Sequence, residues 1–184
     1  PLTMENLQAK YVSAKEILTH CSTVTNNEDM HNYIIGKGEI GLPQRLNEIN
    51  KVLNGTPFTV SYRVMNELTI YLAVLLDQAE EEGKEITFDS FKQYVETAID
   101  RILLMKILPR VEGDDEMFHI SDKERNANEL SDQAEDGHEF TKLDWLKQIA
   151  PQHNEDNQNE YMAVDKLSEM IERLNRQSFT RFWP

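Results

Sequence analysis

The chain of 184 residues has a single cysteine, Cys21. One thiol cannot close a disulfide within the chain or build a cysteine-based zinc site, so the expected setting is reducing and cytoplasmic. Long apolar runs are missing too. No stretch approaches the roughly 20 residues that a membrane-spanning helix needs, and no membrane partner is expected. The chain opens on Pro1 rather than an initiator methionine and no signal-type segment follows, so it reads as a piece of a longer polypeptide. Positive charge is scarce. Nineteen Lys and Arg stand against 33 Asp and Glu, a formal net charge of -14 at pH 7, and the basic residues are not clustered. Such a surface repels nucleic acid and anionic membrane, which argues against direct DNA binding. Finally, no G-x-x-x-x-G-K-S/T loop is present. Without the backbone cradle and lysine that hold nucleotide phosphates, the chain alone is expected neither to bind nucleotide well nor to hydrolyse it.

What is present is helical periodicity. Leu7, Tyr11, Ala14, Ile17 and Leu18 fall at helical spacing between Met4 and Leu18, with Thr3 as N-cap. The polar run from Thr23 to Asp29 and the glycine-rich stretch from Ile34 to Leu42 predict turns and irregular chain. Pro43 suits the start of a short helix carrying Leu46, Ile49, Asn50 and Leu53, stopped by Gly55. Two long helices follow. The first carries Val64, Leu68, Tyr71, Leu72, Leu75 and Leu76 and ends near Gly83; the second, capped by Thr87 or Asp89, carries Phe91, Val95, Ala98, Ile102 and Met105, broadened by Ile99 and Leu103. Pro109 is expected to end it at Leu108. Together they form an antiparallel hairpin of an all-α bundle.

Beyond Gly113 the composition changes. From Glu112 to Glu139 eleven acidic side chains face two basic ones, Lys123 and Arg125. A segment this charged and this poor in apolar residues is expected to be partly disordered. Thr141 to Ala150 restores a short helix with Leu143, Leu146 and Ile149, and Pro151 to Glu160 reads as linker. Val164, Leu167, Met170, Ile171 and Leu174 then make an amphipathic helix leading to Phe179, Phe182 and Trp183, aromatics expected to plug the core.

Several motifs carry less than they promise. Gly36-Lys37-Gly38-Glu39-Ile40-Gly41 matches G-x-G-x-x-G, but no buried strand precedes it and Pro43 follows, so it reads as a connector. His20, His31, His119, His138 and His153 lack the i, i+4 pairing of a helical metal site and read as surface histidines; no metal site is expected. The acidic segment breaks the calcium-loop pattern at Met117 and Phe118. A solvated insertion, or a docking surface for a basic partner, fits it better.

Three segments in order carry a resemblance: Tyr62-Arg63-Val64 with Asn66-Glu67, then Lys106-Ile107-Leu108-Pro109-Arg110 with Gly113, then Phe179-Thr180 with Phe182-Trp183. They resemble the C-terminal part of McrB-like AAA+ NTPases, motor subunits of modification-dependent restriction systems, where a "YRV-NE" helix start, a "KILPR--G" helix end and a closing "FT-FW" occur. Leu46 to Leu53 also fits. The resemblance implies an all-α helical bundle of the AAA+ lid type interrupted by an acidic insertion. Its parts are a lid body over 1–113, an acidic insertion with a short helix over 114–160, and a C-terminal helix and aromatic tail over 161–184. It implies that Arg63 is the sensor arginine aimed at nucleotide phosphates, with Tyr62 and Ser61 packed around it; no catalytic residue lies in this chain. A guanidinium suits that task because it stays charged and offers a planar fork. The implied cofactor is GTP or ATP with Mg2+, bound by the parent protein rather than by this chain alone. The implied partners are the rest of the AAA+ subunit, neighbouring subunits of a ring, usually of six, a partner nuclease, and DNA only through the assembly. An independent acidic helical module, binding a protein or mimicking DNA to inhibit one, is the alternative reading.

Overall fold

Asn27 sets the first described helix. Its side-chain oxygen accepts from the backbone N–H of Asp29 and Met30, the arrangement that satisfies orphan donors at a helix start, and α1 runs Glu28–Ile35 until Gly36 takes a left-handed φ of 70°. The computed structural model describes residues 24, 26–37, 41–134, 137–153 and 161–184. The helix expected between Met4 and Leu18, Cys21, His20, Gly38 and most of the 151–160 linker lie outside them. α1 was hidden in the sequence because only Met30 and Ile34 turn inward, amid polar neighbours that resemble a turn. α2 follows over Leu42–Val52, α3 over Tyr62–Glu81 and α4 over Phe88–Ile102. The described chain is mostly helical.

The chain divides into two compact units, one drawn from Pro1–Leu46 and Ser61–Ala98, the other from Asn47–Val60 and Ile99–Pro184. In the first, the inward stripe of α3 is the one the spacing predicts, with Val64, Leu68, Leu72 and Leu76 buried and Tyr71 and Leu75 at its margins. Gly83, at φ 71°, lets the chain turn after α3, and the Lys84 N–H closes back on the Ala79 carbonyl at 2.9 Å. Thr87 and Ser90 then bond reciprocally, Thr87 N to Ser90 Oγ at 2.9 Å and Ser90 N to Thr87 Oγ1 at 3.2 Å, which caps α4. Tyr33, Phe88 and Phe91 form an aromatic cluster, with Tyr33 edge-on to Phe91 at 5.8 Å and the two phenylalanines stacked at 6.0 Å.

In the second unit the end of α4 passes into a change of helical pitch. Residues Leu103–Ile107 form a π-turn, closed by the Leu108 N–H on the Leu103 carbonyl, and Leu108–Arg110 form a 3-10 turn that admits Pro109. Proline has no N–H for the carbonyl four residues back, and the wider turn removes the need for one. Two expectations change as a result. Leu108 keeps helical angles and the chain leaves the helix at Val111 rather than at Leu108; Met105, rotated off the stripe by the slower π pitch, is 50% exposed while Ile107 is buried.

After the turns come β1 (Glu112–Asp114), α5 (Asp115–Phe118), α6 (Asp122–Ala127), α7 (Lys142–Ile149), α8 (Met162–Gln177) and β2 (Phe179–Arg181). β1 and β2 pair antiparallel, with Gly113 opposite Thr180. A Cβ on Gly113 would lie 2.9 Å from Met117 Cβ, so a glycine there lets α5 fold tightly onto the strand. α8 buries Val164, Leu167, Met170, Ile171 and Leu174 as its spacing predicts. Its aromatic extension behaves otherwise: Thr180 is buried and Phe179 exposed, because a strand alternates its side chains across the sheet, and Trp183, beyond β2, is 63% exposed.

The acidic segment carries more packing than its charge implies. Phe118 and Ile120 are fully buried, and two cations enter with them. Lys142 Nζ bonds Glu124 Oε1 at 2.7 Å and the Asn54 carbonyl at 2.9 Å; Arg125 bonds the Ser131 carbonyl and lies 3.6 Å from Asp132. The acids are therefore partly neutralised from within, by cations whose side chains are themselves nearly buried.

Candidate functional site

Three residues lead into the predicted sensor. Asn50, on α2, clamps the backbone of Val60 from both sides: its Oδ1 accepts from the Val60 N–H at 2.5 Å and its Nδ2 donates to the Val60 carbonyl at 3.0 Å. This side chain supplies the pairing that a neighbouring strand would otherwise give. Ser61 then occupies the N-cap of α3 in extended geometry, but its hydroxyl makes no cap bond, and the Val64 N–H bonds the Ser61 carbonyl at 3.0 Å instead. Tyr62, the first residue of α3, is 54% exposed.

Arg63 follows with 84% of its side chain exposed. The hydrogen bond that holds it comes from Glu67, one turn on: Arg63 Nε donates to Glu67 Oε1 at 3.0 Å. Neither Ser61 nor Tyr62 bonds it. Among the described residues no other hydrogen bond or ion pair engages Arg63, so the four N–H donors of its two Nη atoms point to solvent. A cation in the first turn of a helix is opposed by the helix dipole, and the first turn of α3 contains no acid to offset it.

A second cluster occupies a shallow groove beside α7 and α8, lined by His138, Asp144, Lys147, Ser168 and Arg176. It brings a serine, a histidine and an aspartate together, but not for catalysis. His138 Nε2 lies 3.0 and 3.1 Å from the two oxygens of Asp144, and its other ring nitrogen is buried, so neither imidazole nitrogen is presented to Ser168 as a base. Asp144 meanwhile accepts from Thr141 N at 2.9 Å and Thr141 Oγ1 at 2.6 Å, closing the capping box of α7. The cluster holds a helix start in place. His138 is thus largely buried, unlike the surface histidine its spacing suggested.

The remaining motifs resolve structurally. Gly36 ends α1, and its carbonyl accepts from Gln44 Nε2 at 3.1 Å; a Cβ on Gly41 would lie 2.7 Å from the Tyr33 carbonyl. The left-handed φ accounts for the glycine at 36 and close backbone approach for the one at 41. The described residues contain no group of three or more potential metal ligands, and no described helix is long and apolar enough to cross a membrane. On the turn after α3, a hydrogen bond from Lys84 holds the Glu82 carboxyl below its ordinary value, and Glu82 in turn raises Lys84; both side chains are exposed. Sequence reasoning placed Arg63 on a helix start but gave no role to Glu67 or Asn50. Glu67 stands four residues from Arg63, a spacing that signals the pair; the Asn50 clamp is a tertiary contact with no periodic signature.

A family model described as "Domain of unknown function (DUF8727)" matches residues 14–179, and the chain belongs to that family. The matched span contains both the Ser61–Glu67 segment and the Lys106–Gly113 segment. No curated protein and no solved structure matches the chain.

Proposed function

We propose that this chain is the lid region of a McrB-like AAA+ NTPase and that Arg63 contacts the phosphates of a nucleotide held by the rest of the subunit. The observation that carries the reading is the state of Arg63, a guanidinium at a helix start, 84% exposed, with its Nη fork unengaged among the described residues. The helical architecture and the placement of the motif segments support it. Ser61 to Glu67 opens the longest described helix, and Lys106 to Gly113 runs from the end of the π-turn through the 3-10 turn into β1. In this reading GTP or ATP with Mg2+ belongs to the parent subunit, whose ring assembly drives a partner nuclease on DNA.

The test is steady-state NTPase turnover by the full-length protein beside thermal melting. Arg63→Ala is expected to lower turnover by on the order of a hundredfold, the loss typical of one preorganised cationic contact to a transferring phosphoryl group, with an unchanged melting temperature. Arg63→Lys should recover only part, since a lysine restores charge without the bidentate fork. Turnover at the wild-type level in Arg63→Ala would end the reading.

A further inference from the structure

We infer that Glu67 is a positioning residue that presents the Nη fork of Arg63 to the phosphate it engages, an inference that rests on the lid reading. The pair is asymmetric in burial. Glu67 has only 25% of its side chain exposed against 84% for Arg63, so the carboxylate is the anchored partner and the guanidinium the projecting one. The atom used is also informative. Arg63 is bonded through Nε at 3.0 Å, along the inner edge of the guanidinium, which leaves Nη1 and Nη2 free to face outward together. Two parallel N–H donors are the geometry that grips two oxygens of one phosphate group.

Helix stability does not account for this arrangement. In an i, i+4 pair the favourable order places the acid N-terminal to the base, and here the base comes first. Arg63 also sits in the first turn, where the helix dipole opposes it, while Glu67 lies beyond the reach of that first turn. A pair placed against both preferences, with one member so exposed, adds little stability through its ion pair. Its effect is orientational: a long, freely rotating side chain is held in the direction that the transition state needs, so less ordering is left to the chemical step.

The experiment uses the full-length protein with four variants, Arg63→Ala, Glu67→Ala, Glu67→Gln and the Arg63→Ala/Glu67→Ala double, measuring kcat, KM and melting temperature. Glu67→Ala is expected to lower kcat by roughly tenfold to a hundredfold, the range set by misplacing a catalytic contact, with KM and melting little changed. Glu67→Gln should retain most of kcat, because an amide oxygen still accepts from Nε. The double variant should be no slower than Arg63→Ala alone, since a positioning role in turnover is exerted through Arg63. Wild-type or increased kcat in Glu67→Ala, with Arg63→Ala still impaired, would overturn the positioning role and leave the lid reading standing. Additive losses in the double variant, or a fall in melting that tracks the fall in kcat, would overturn it too. An Arg63→Ala variant at wild-type turnover removes the lid reading and this inference with it.

Discussion

Asp100 is the most consequential single residue that periodicity does not flag. It lies on α4 at 1% exposure, between buried Ile99 and half-buried Arg101, and its Oδ1 accepts from the Ala163 N–H at 2.7 Å. Arg101 lies 3.6 Å from its other oxygen. Tyr161, the N-cap of α8, provides no side-chain cap, so a carboxylate 63 residues away in sequence does. Asp100→Ala is therefore expected to cost about 1 to 3 kcal/mol, the loss of a buried capping acceptor, read as a drop in chemical-denaturation midpoint. Asp100→Asn should cost less because its amide oxygen can still accept. Sequence alone shows an acid beside an apolar stripe and no more; which helix end it caps depends on a partner found only in three dimensions. The apolar positions of α3 are the opposite case. Leu72, fully buried as its spacing predicts, should lose roughly 2 to 5 kcal/mol on change to alanine, while Arg63→Ala leaves melting unaltered.

At the scale of elements, the stripes of α3, α4 and α8 were legible because a 3.6-residue repeat survives in the sequence whatever surrounds it. The π-turn was not legible, since a one-residue change of pitch leaves no composition signal beyond Pro109 itself, and Met105 lands outside the core as a result. The acidic segment misled for a different reason. Mean charge measures what a segment would do alone, whereas Lys142 enters from α7 to meet Glu124, and Phe118 with Ile120 gives the stretch an anchor. Limited proteolysis of the protein should accordingly find Asp114 to Ser131 protected. Phe118→Ala should cost about 3 to 5 kcal/mol by opening a cavity and should make that same stretch an early cleavage site. Cleavage there in the wild type at the rate of an unstructured linker would show that the anchors do not hold.

On the scale of the whole molecule, an all-α fold was readable from composition and period, while the two compact units are a feature of the three-dimensional contacts. Sequence suggests consecutive blocks, whereas the second unit takes Asn47–Val60 from within the span of the first. One of its ties, Lys142 Nζ on the Asn54 carbonyl, joins residues 88 apart. Of the candidate site, the position of Arg63 was visible from the residues around it, while the bond that orients it required coordinates. The interleaving of the units has a consequence for biosynthesis. At about 5 to 20 residues per second, Lys142 leaves the ribosome roughly 4 to 18 s after Asn54. Over that interval residues 61–98 can begin joining the unit ahead of them, whereas residues 47–60 hold only their internal contacts, such as the Asn50 clamp on Val60, and lack Lys142. A nascent chain of this protein thus carries a waiting segment just upstream of Arg63, open to chaperones and proteases until the C-terminal half is made.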